Sequence, residues 1–234
     1  MIIVDDFESS GSNNQFGSLT SKSSGNSGAP NGAVILGGER DLFVEYDLPA
    51  TNDPAAFRQV SLSRNAGTLT YDQFESAGPA IVGHAFVQWD GVEGAGPGLD
   101  QPVTVGLNKT GLSGFGVSLV AGAIVADLGD ITGAFNLTFG IYTATHTSTY
   151  TQTVTAADSN TKVHFWNGGF AGSFDIVHDV IGAISLAIAP VSPGNGTVVL
   201  NSVYVVPEPT GLGLMGLGSL GLLAVRRRRQ AAAA

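Results

Sequence analysis

The stretch Leu42-Phe43-Val44-Glu45-Tyr46-Asp47-Leu48 decides the fold class. Residues 42, 44, 46 and 48 are apolar, and 45 and 47 are acidic. Side chains of a strand alternate between its faces, so this period of two buries one face and wets the other. Thr149-Tyr150-Thr151-Gln152-Thr153-Val154-Thr155 is a second such run, built from β-branched and aromatic residues. Outward from these, short apolar runs separated by Gly, Asn, Asp and Pro predict further strands. They fall near 33–36, 57–63, 67–74, 80–89, 102–107, 114–120, 134–143, 161–165, 181–189 and 197–206. No ten-residue helical pattern interrupts them up to Val206. The expectation is an all-β chain, an antiparallel two-sheet sandwich with jelly-roll-like topology.

Composition narrows the class. The chain has 234 residues, with 33 Gly and 10 Pro but only 12% charged residues, which excludes a long charged helix or coiled coil. A hydrophobic content of 43% excludes a wholly disordered chain. Of the ten basic residues, four are Arg226–Arg229. Residues 1–206 hold the other six against 18 of the 19 acidic residues, a net charge of −12. Such a body repels phosphate backbones, so nucleic acid is not an expected partner. With no Cys there is no disulfide framework and no thiolate chemistry.

The chain opens with a short β-type run, Met1–Val4, followed by Asp5, Asp6, Phe7 and Glu8. Its apolar stretch is too short for a secretory h-region. Ser9–Gly32 is mostly Ser, Gly and Asn and is expected as loop or disorder. The domain reading is a sandwich over 1–206 and a separate tail over 207–234.

The tail begins Pro207-Glu208-Pro209. Thr210–Val225 then runs 16 residues without a charge, and Arg226, Arg227, Arg228 and Arg229 close it. As a helix the uncharged run reaches roughly 24 Å, against a hydrocarbon core of about 30 Å, so flanking residues must help it span. It is expected to be a single C-terminal transmembrane helix. Arg clusters stay cytoplasmic, which places the chain end inside and residues 1–206 outside. Pro207 and Pro209 oppose helix and strand pairing alike, leaving an extended, unpaired segment for a peptidase cleft.

Val-Pro-Glu-Pro, a Gly/Leu-rich span and a terminal Arg run, in that order, resemble the PEP-CTERM sorting signal of Gram-negative bacteria. The resemblance implies export, recognition of Pro207, Glu208 and Pro209 by an exosortase, and removal of the tail. It also implies association with extracellular polysaccharide. Proteins of this kind start with a signal peptide, so the reading frame is expected to begin upstream of Met1. Val4-Asp5-Asp6-Phe7 and Gly37-Gly38-Glu39-Arg40-Asp41-Leu42 resemble segments of uncharacterised exported β-domains. The Asp-Asp-Phe-Glu start is also similar to that of some carbohydrate-binding jelly rolls, in which calcium pins chain segments together.

Candidate sites in the body are few. Hard oxygen ligands make Ca2+ the metal to consider. Asp5, Asp6 and Glu8 form one cluster, Asp90, Glu93 and Asp100 a second in a Gly-rich loop, and Asp127 with Asp130 a third. The alternative is solvated turn carboxylates. Trp89 and Trp166 each precede a turn and could stack on a sugar ring, or cap the core. His84, His146, His164 and His178 show no metal-ligand spacing. Glu45-Tyr46-Asp47 superficially resembles the acidic strand of laminarinase-like glycosidases, but Ala50 stands where a third acid would be needed. No catalytic residue is assigned. The expected function is that of an exported, non-enzymatic surface or matrix protein. A calcium-stabilised carbohydrate-binding module and a polysaccharide-active enzyme are the alternatives.

Overall fold

A computed structural model describes residues 1–8, 14–17, 23–28, 34–47, 58–65, 67–76, 82–92, 107–115, 117, 119, 122–172 and 180–207. Fourteen strands form among them. They are β1 (Ile2–Asp5), β2 (Asn14–Gly17), β3 (Ser23–Gly28), β4 (Glu39–Asp47), β5 (Arg58–Asn65), β6 (Thr68–Glu75) and β7 (Val82–Trp89). They continue as β8 (Gly122–Thr132), β9 (Ala134–Tyr142), β10 (Thr147–Thr155), β11 (Lys162–Trp166), β12 (Ala171–Gly172), β13 (Ala183–Pro190) and β14 (Gly196–Pro207). No α-helix occurs among the described residues; four short 3-10 turns join the strands.

All pairings are antiparallel, in two seven-stranded sheets. Sheet A runs β11-β8-β14-β6-β5-β2, and β1 pairs with β14 beside it. Sheet B runs β12-β10-β9-β13-β7-β4-β3. The alternation in β4 puts Leu42 and Val44 into the core between the sheets, where β5 and β6 send Val60, Leu62, Leu69 and Tyr71. Phe165 of β11 bridges the layers, meeting Phe139 of β9 at 4.7 Å and Tyr150 of β10 at 5.4 Å, both edge-on. Edge-to-face rings add to the area they bury.

Three expectations change. The Ser/Gly/Asn segment expected as loop contributes two strands, β2 and β3, each paired to a longer neighbour. Backbone pairing needs no apolar side chain, so composition alone did not reveal them. The strand expected near 33–36 is a bridge at Ile35 and a 3-10 turn over Leu36–Gly38. Gly37 has φ 81°, which ends extended structure there. The third change is β8, the neighbour of β14 and β11, in a stretch for which no strand is predicted; Asp127, Gly129 and Asp130 interrupt its apolar run. Its partner β14 carries two register shifts, at Val198/Leu200 and Leu200/Ser202, which switch its inward residues from Val198 and Leu200 to Val203 and Val205.

The predicted strand at 102–107 lies almost wholly outside the described residues. Among those described near 114–120, a 3-10 turn over Ser113–Phe115 is found. The predicted helix over 210–225 and Arg226–Arg229 lie outside the described residues. Within the described residues, no helix is long and apolar enough to cross a membrane.

Candidate functional site

The sorting segment leaves the body with no spacer. β14 runs through Pro207, which sits opposite Gly122 at the end of β8. Pro207, expected to be unpaired, is thus paired, since a strand's end tolerates a residue without an N–H. Upstream, Val203, Tyr204 and Val205 are held on both sides, by β8 and by β1, through Asp5, Ile3 and Ile2. Glu208 and Pro209 lie outside the described residues.

The acids expected as calcium ligands near the N-terminus make contacts within the protein. Asp5 is fully buried at one end of the core. Its Oδ1 accepts the Phe7 N–H (2.9 Å), and its Oδ2 accepts the Trp89 indole N–H (2.8 Å). The same Oδ2 lies 3.3 Å from the Arg40 guanidinium of β4. This contact ties the β1 side of the molecule to sheet B. Arg40 also lies over the Phe7 ring, 5.2 Å from its centroid. Phe7 takes a φ of 53°, a left-handed conformation for a bulky residue, held by the Asp5 bond. Burial pushes the Asp5 carboxyl up to about 6, against the pull of Arg40, Trp89 and the Phe7 N–H. Burial likewise lowers Arg40 and Arg64, each partly offset by Asp5.

Asp6 accepts the N–H groups of Glu8 (3.1 Å) and Val34 (3.0 Å). Each oxygen of both acids thus accepts from a donor of the protein. Asp90 is buried and accepts the Asn108 N–H at 2.9 Å; Glu93 and Asp100 lie outside the described residues. Asp127 pairs with Lys162 at 3.4 Å, and Asp130 accepts from Asn160 at 3.0 Å. Among the described residues no three His, Asp or Glu converge to hold a metal.

The two Trp residues separate. Trp89 is 0% exposed, so it offers no ring face to a sugar; it caps the core and donates to Asp5. Trp166 is 42% exposed on the outer face of β11, stacked on His164 with centroids 5.2 Å apart and planes 15° from parallel.

The outer face of sheet B carries two cross-strand rows that single residues did not announce. One runs Thr151, Thr138, Ala187, Phe86, Phe43, with the Thr hydroxyls 2.8 Å apart and the Phe rings at 5.8 Å. The next runs Thr149, Gly140, Ser185, Gln88, Asp41. At Gly140 a Cβ would come within 2.6 Å of Ser185 Oγ and 2.8 Å of Tyr142 Oη, so only glycine lets Tyr142 fold across toward Ser185. Only cross-strand register assembles these groups, which is why no local motif marked them.

Such a structure defines a class, an all-β protein of two packed antiparallel sheets. Against known proteins, residues 205–229 match the PEP-CTERM protein-sorting motif. That signal implies an exported protein sorted by an exosortase. Two structures of the family 11 carbohydrate-binding module of Clostridium thermocellum, one from the cellulosomal cellulase Lic26A-Cel5E and one in complex with a β-1,3-1,4-mixed-linked tetrasaccharide, are similar at 9% identity. The TM-scores are 0.37 and 0.38, covering 88% of this chain and 93% and 95% of theirs. No curated protein matches the chain.

Proposed function

We propose that the chain is an exported, non-enzymatic surface or extracellular-matrix protein, sorted through residues 207–234 and associated with exopolysaccharide. The observation that carries this reading is the sorting motif over 205–229, set directly against the last strand of a folded body. Pro207, Glu208 and Pro209 are the segment the exosortase reads. Thr210–Val225 is the single membrane span, and Arg226–Arg229 hold the chain end in the cytoplasm. The body, jelly-roll-like, stands outside, tethered until the tail is removed. The polysaccharide part draws support from the outer face of sheet B, where the exposed Thr138–Thr151 hydroxyls share one row with the half-buried Phe86 ring, which packs on buried Phe43. Hydroxyls with an adjacent apolar ring surface suit a sugar's polar edge and apolar face.

The test is expression of the full chain, led by a secretory signal peptide, in a Gram-negative host carrying a matching exosortase. The expected result is loss of the tail mass and recovery of the body in the envelope or medium. A chain that keeps its tail with the exosortase active would overturn the sorting reading. Pull-down on purified exopolysaccharide, with and without chelator, tests the rest. Retention indifferent to chelator supports the proposal, chelator-sensitive retention favours a calcium-stabilised binding module, and no retention removes the polysaccharide association.

A further inference from the structure

The last strand is held unevenly where the sorting motif begins. Val203, Tyr204 and Val205 have a neighbour on each side, β8 on one and β1 on the other. The β1 pairing stops at Ile2, opposite Val205. Among the described residues, Val206 and Pro207 are therefore paired to β8 alone. The outermost pair, Pro207 with Gly122, brings no N–H to the strand interface. Proline has none, and the Gly122 N–H donates to the Leu119 carbonyl at 3.1 Å. Burial changes at the same place. Val205 packs in the main core, whereas Val206 is half-buried and lies on a small outer cluster of Ala123, Val125 and Tyr204. β1 is itself fixed at its far end, where Asp5 meets Trp89 and Arg40 of sheet B.

We infer that the exosortase acts on an opened end of β14, and that β1 sets how far the opening runs. Val206 and Pro207 come away from β8, and Val205 stays. The inference rests on the sorting reading above, in which Pro207, Glu208 and Pro209 are the residues read. A cleft that binds an extended peptide supplies backbone partners of its own and takes a single chain. Pro207 lies against Gly122, so it enters such a cleft only after leaving β8. No spacer lends slack, since two Cα steps of about 3.8 Å carry the chain from Pro207 to Pro209. Cleavage of a paired segment then follows the population of its open form. A strand end with few hydrogen bonds and little buried surface opens most readily, and a segment paired on both sides opens least. The change from one neighbour to two falls between Val206 and Val205, which is where the opening stops. Tail removal thus depends on the local stability of two residue pairs, while the rest of the body remains folded.

The experiment uses the full chain, led by a secretory signal peptide, in a Gram-negative host carrying a matching exosortase. The chain has no Cys, so an introduced pair has no competing thiol. Paired residues on antiparallel strands have Cα atoms about 4.5–5.5 Å apart, within disulfide reach, and the periplasm is oxidising. One variant carries Val206→Cys with Ala123→Cys, and a second carries Tyr204→Cys with Val125→Cys; both are register pairs of β14 and β8. Non-reducing gels report the bridge, and the higher-mass band reports a retained tail. The 206–123 bridge should lower processing by about tenfold or more, and added reductant should restore it. The 204–125 bridge should leave processing at the wild-type rate. Wild-type processing of the bridged 206–123 chain overturns the opening and leaves the sorting reading intact, because the enzyme then takes the strand by its free edge. Loss of processing in the bridged 204–125 chain overturns the role of β1 as the stop. A wild-type chain that keeps its tail overturns the sorting reading and this inference together. Amide hydrogen exchange on the unaltered full chain in detergent reads the same point without substitutions. The Val206 N–H should exchange about tenfold or more faster than the Tyr204 N–H, and equal protection overturns the inference.

Discussion

Asp5 gives the body a pH dependence that one substitution isolates. Burial raises its carboxyl from 3.8 to about 6, and the opposing pulls of Arg40, Trp89 and the Phe7 N–H are smaller. The folded chain therefore holds this proton more tightly than the unfolded chain does. Between those two values the folded state carries the extra proton, so stability falls as pH rises through the window and levels off above it. A shift of about two units at 1.36 kcal/mol per unit makes the loss about 3 kcal/mol. Asp5→Asn removes the titration and keeps an acceptor for the indole. The assay is urea unfolding of both proteins at a series of pH values, followed by fluorescence, since Trp89 lies against Asp5. From about pH 4 to about pH 7 the wild type should lose about 3 kcal/mol relative to the variant, while contributions from all other groups cancel. A difference independent of pH, or one that moves the other way, would refute the reasoning. Arg40 and the two N–H donors would then outweigh desolvation.

Other perturbations probe other parts of the molecule. Trp89→Phe takes the indole donor at 2.8 Å from the buried Asp5 oxygen and leaves it Arg40 at 3.3 Å; the cost should be about 1–3 kcal/mol by urea unfolding. Phe165→Ala empties the contact between the layers, where Phe165 is 0% exposed; the loss should be about 3–5 kcal/mol, read as a lower unfolding midpoint. Deleting residues 208–234 should leave a soluble, β-rich body by circular dichroism, because the strand pairings close at Pro207. Replacing Arg226–Arg229 with Glu should leave unprocessed chain accumulating in an exosortase-bearing host, seen as the higher-mass band on a blot; wild-type processing of that variant would sink the orientation argument.

The sequence by itself determined the all-β class and most of the strands, because alternation is a local property. Leu42 and Val44 of β4 and Val154 of β10 declare their inward face through their own polarity, although inward Arg40 and outward Phe43 of β4 do not. It also determined the sorting tail, whose signal is a linear order of residues. What tertiary structure alone decided depends on register. No strand is predicted for the segment of β8, whose apolar run Asp127, Gly129 and Asp130 interrupt, yet it lies between β11 and β14, with Asp127 placed outward against Lys162. Asp5 and Asp6 look like metal ligands in one dimension. Asp5 becomes a buried partner of Trp89, 84 positions away, only when β1 docks beside β14. Trp89 and Trp166 are alike in sequence context, each before a turn. Burial separates them, since one ends an inward row of β7 and the other an outward row of β11. The physical reason is common to these cases. Polarity and spacing along the chain fix which local conformation a segment prefers, whereas pairing register and sheet stacking fix which distant groups meet and which are taken from water.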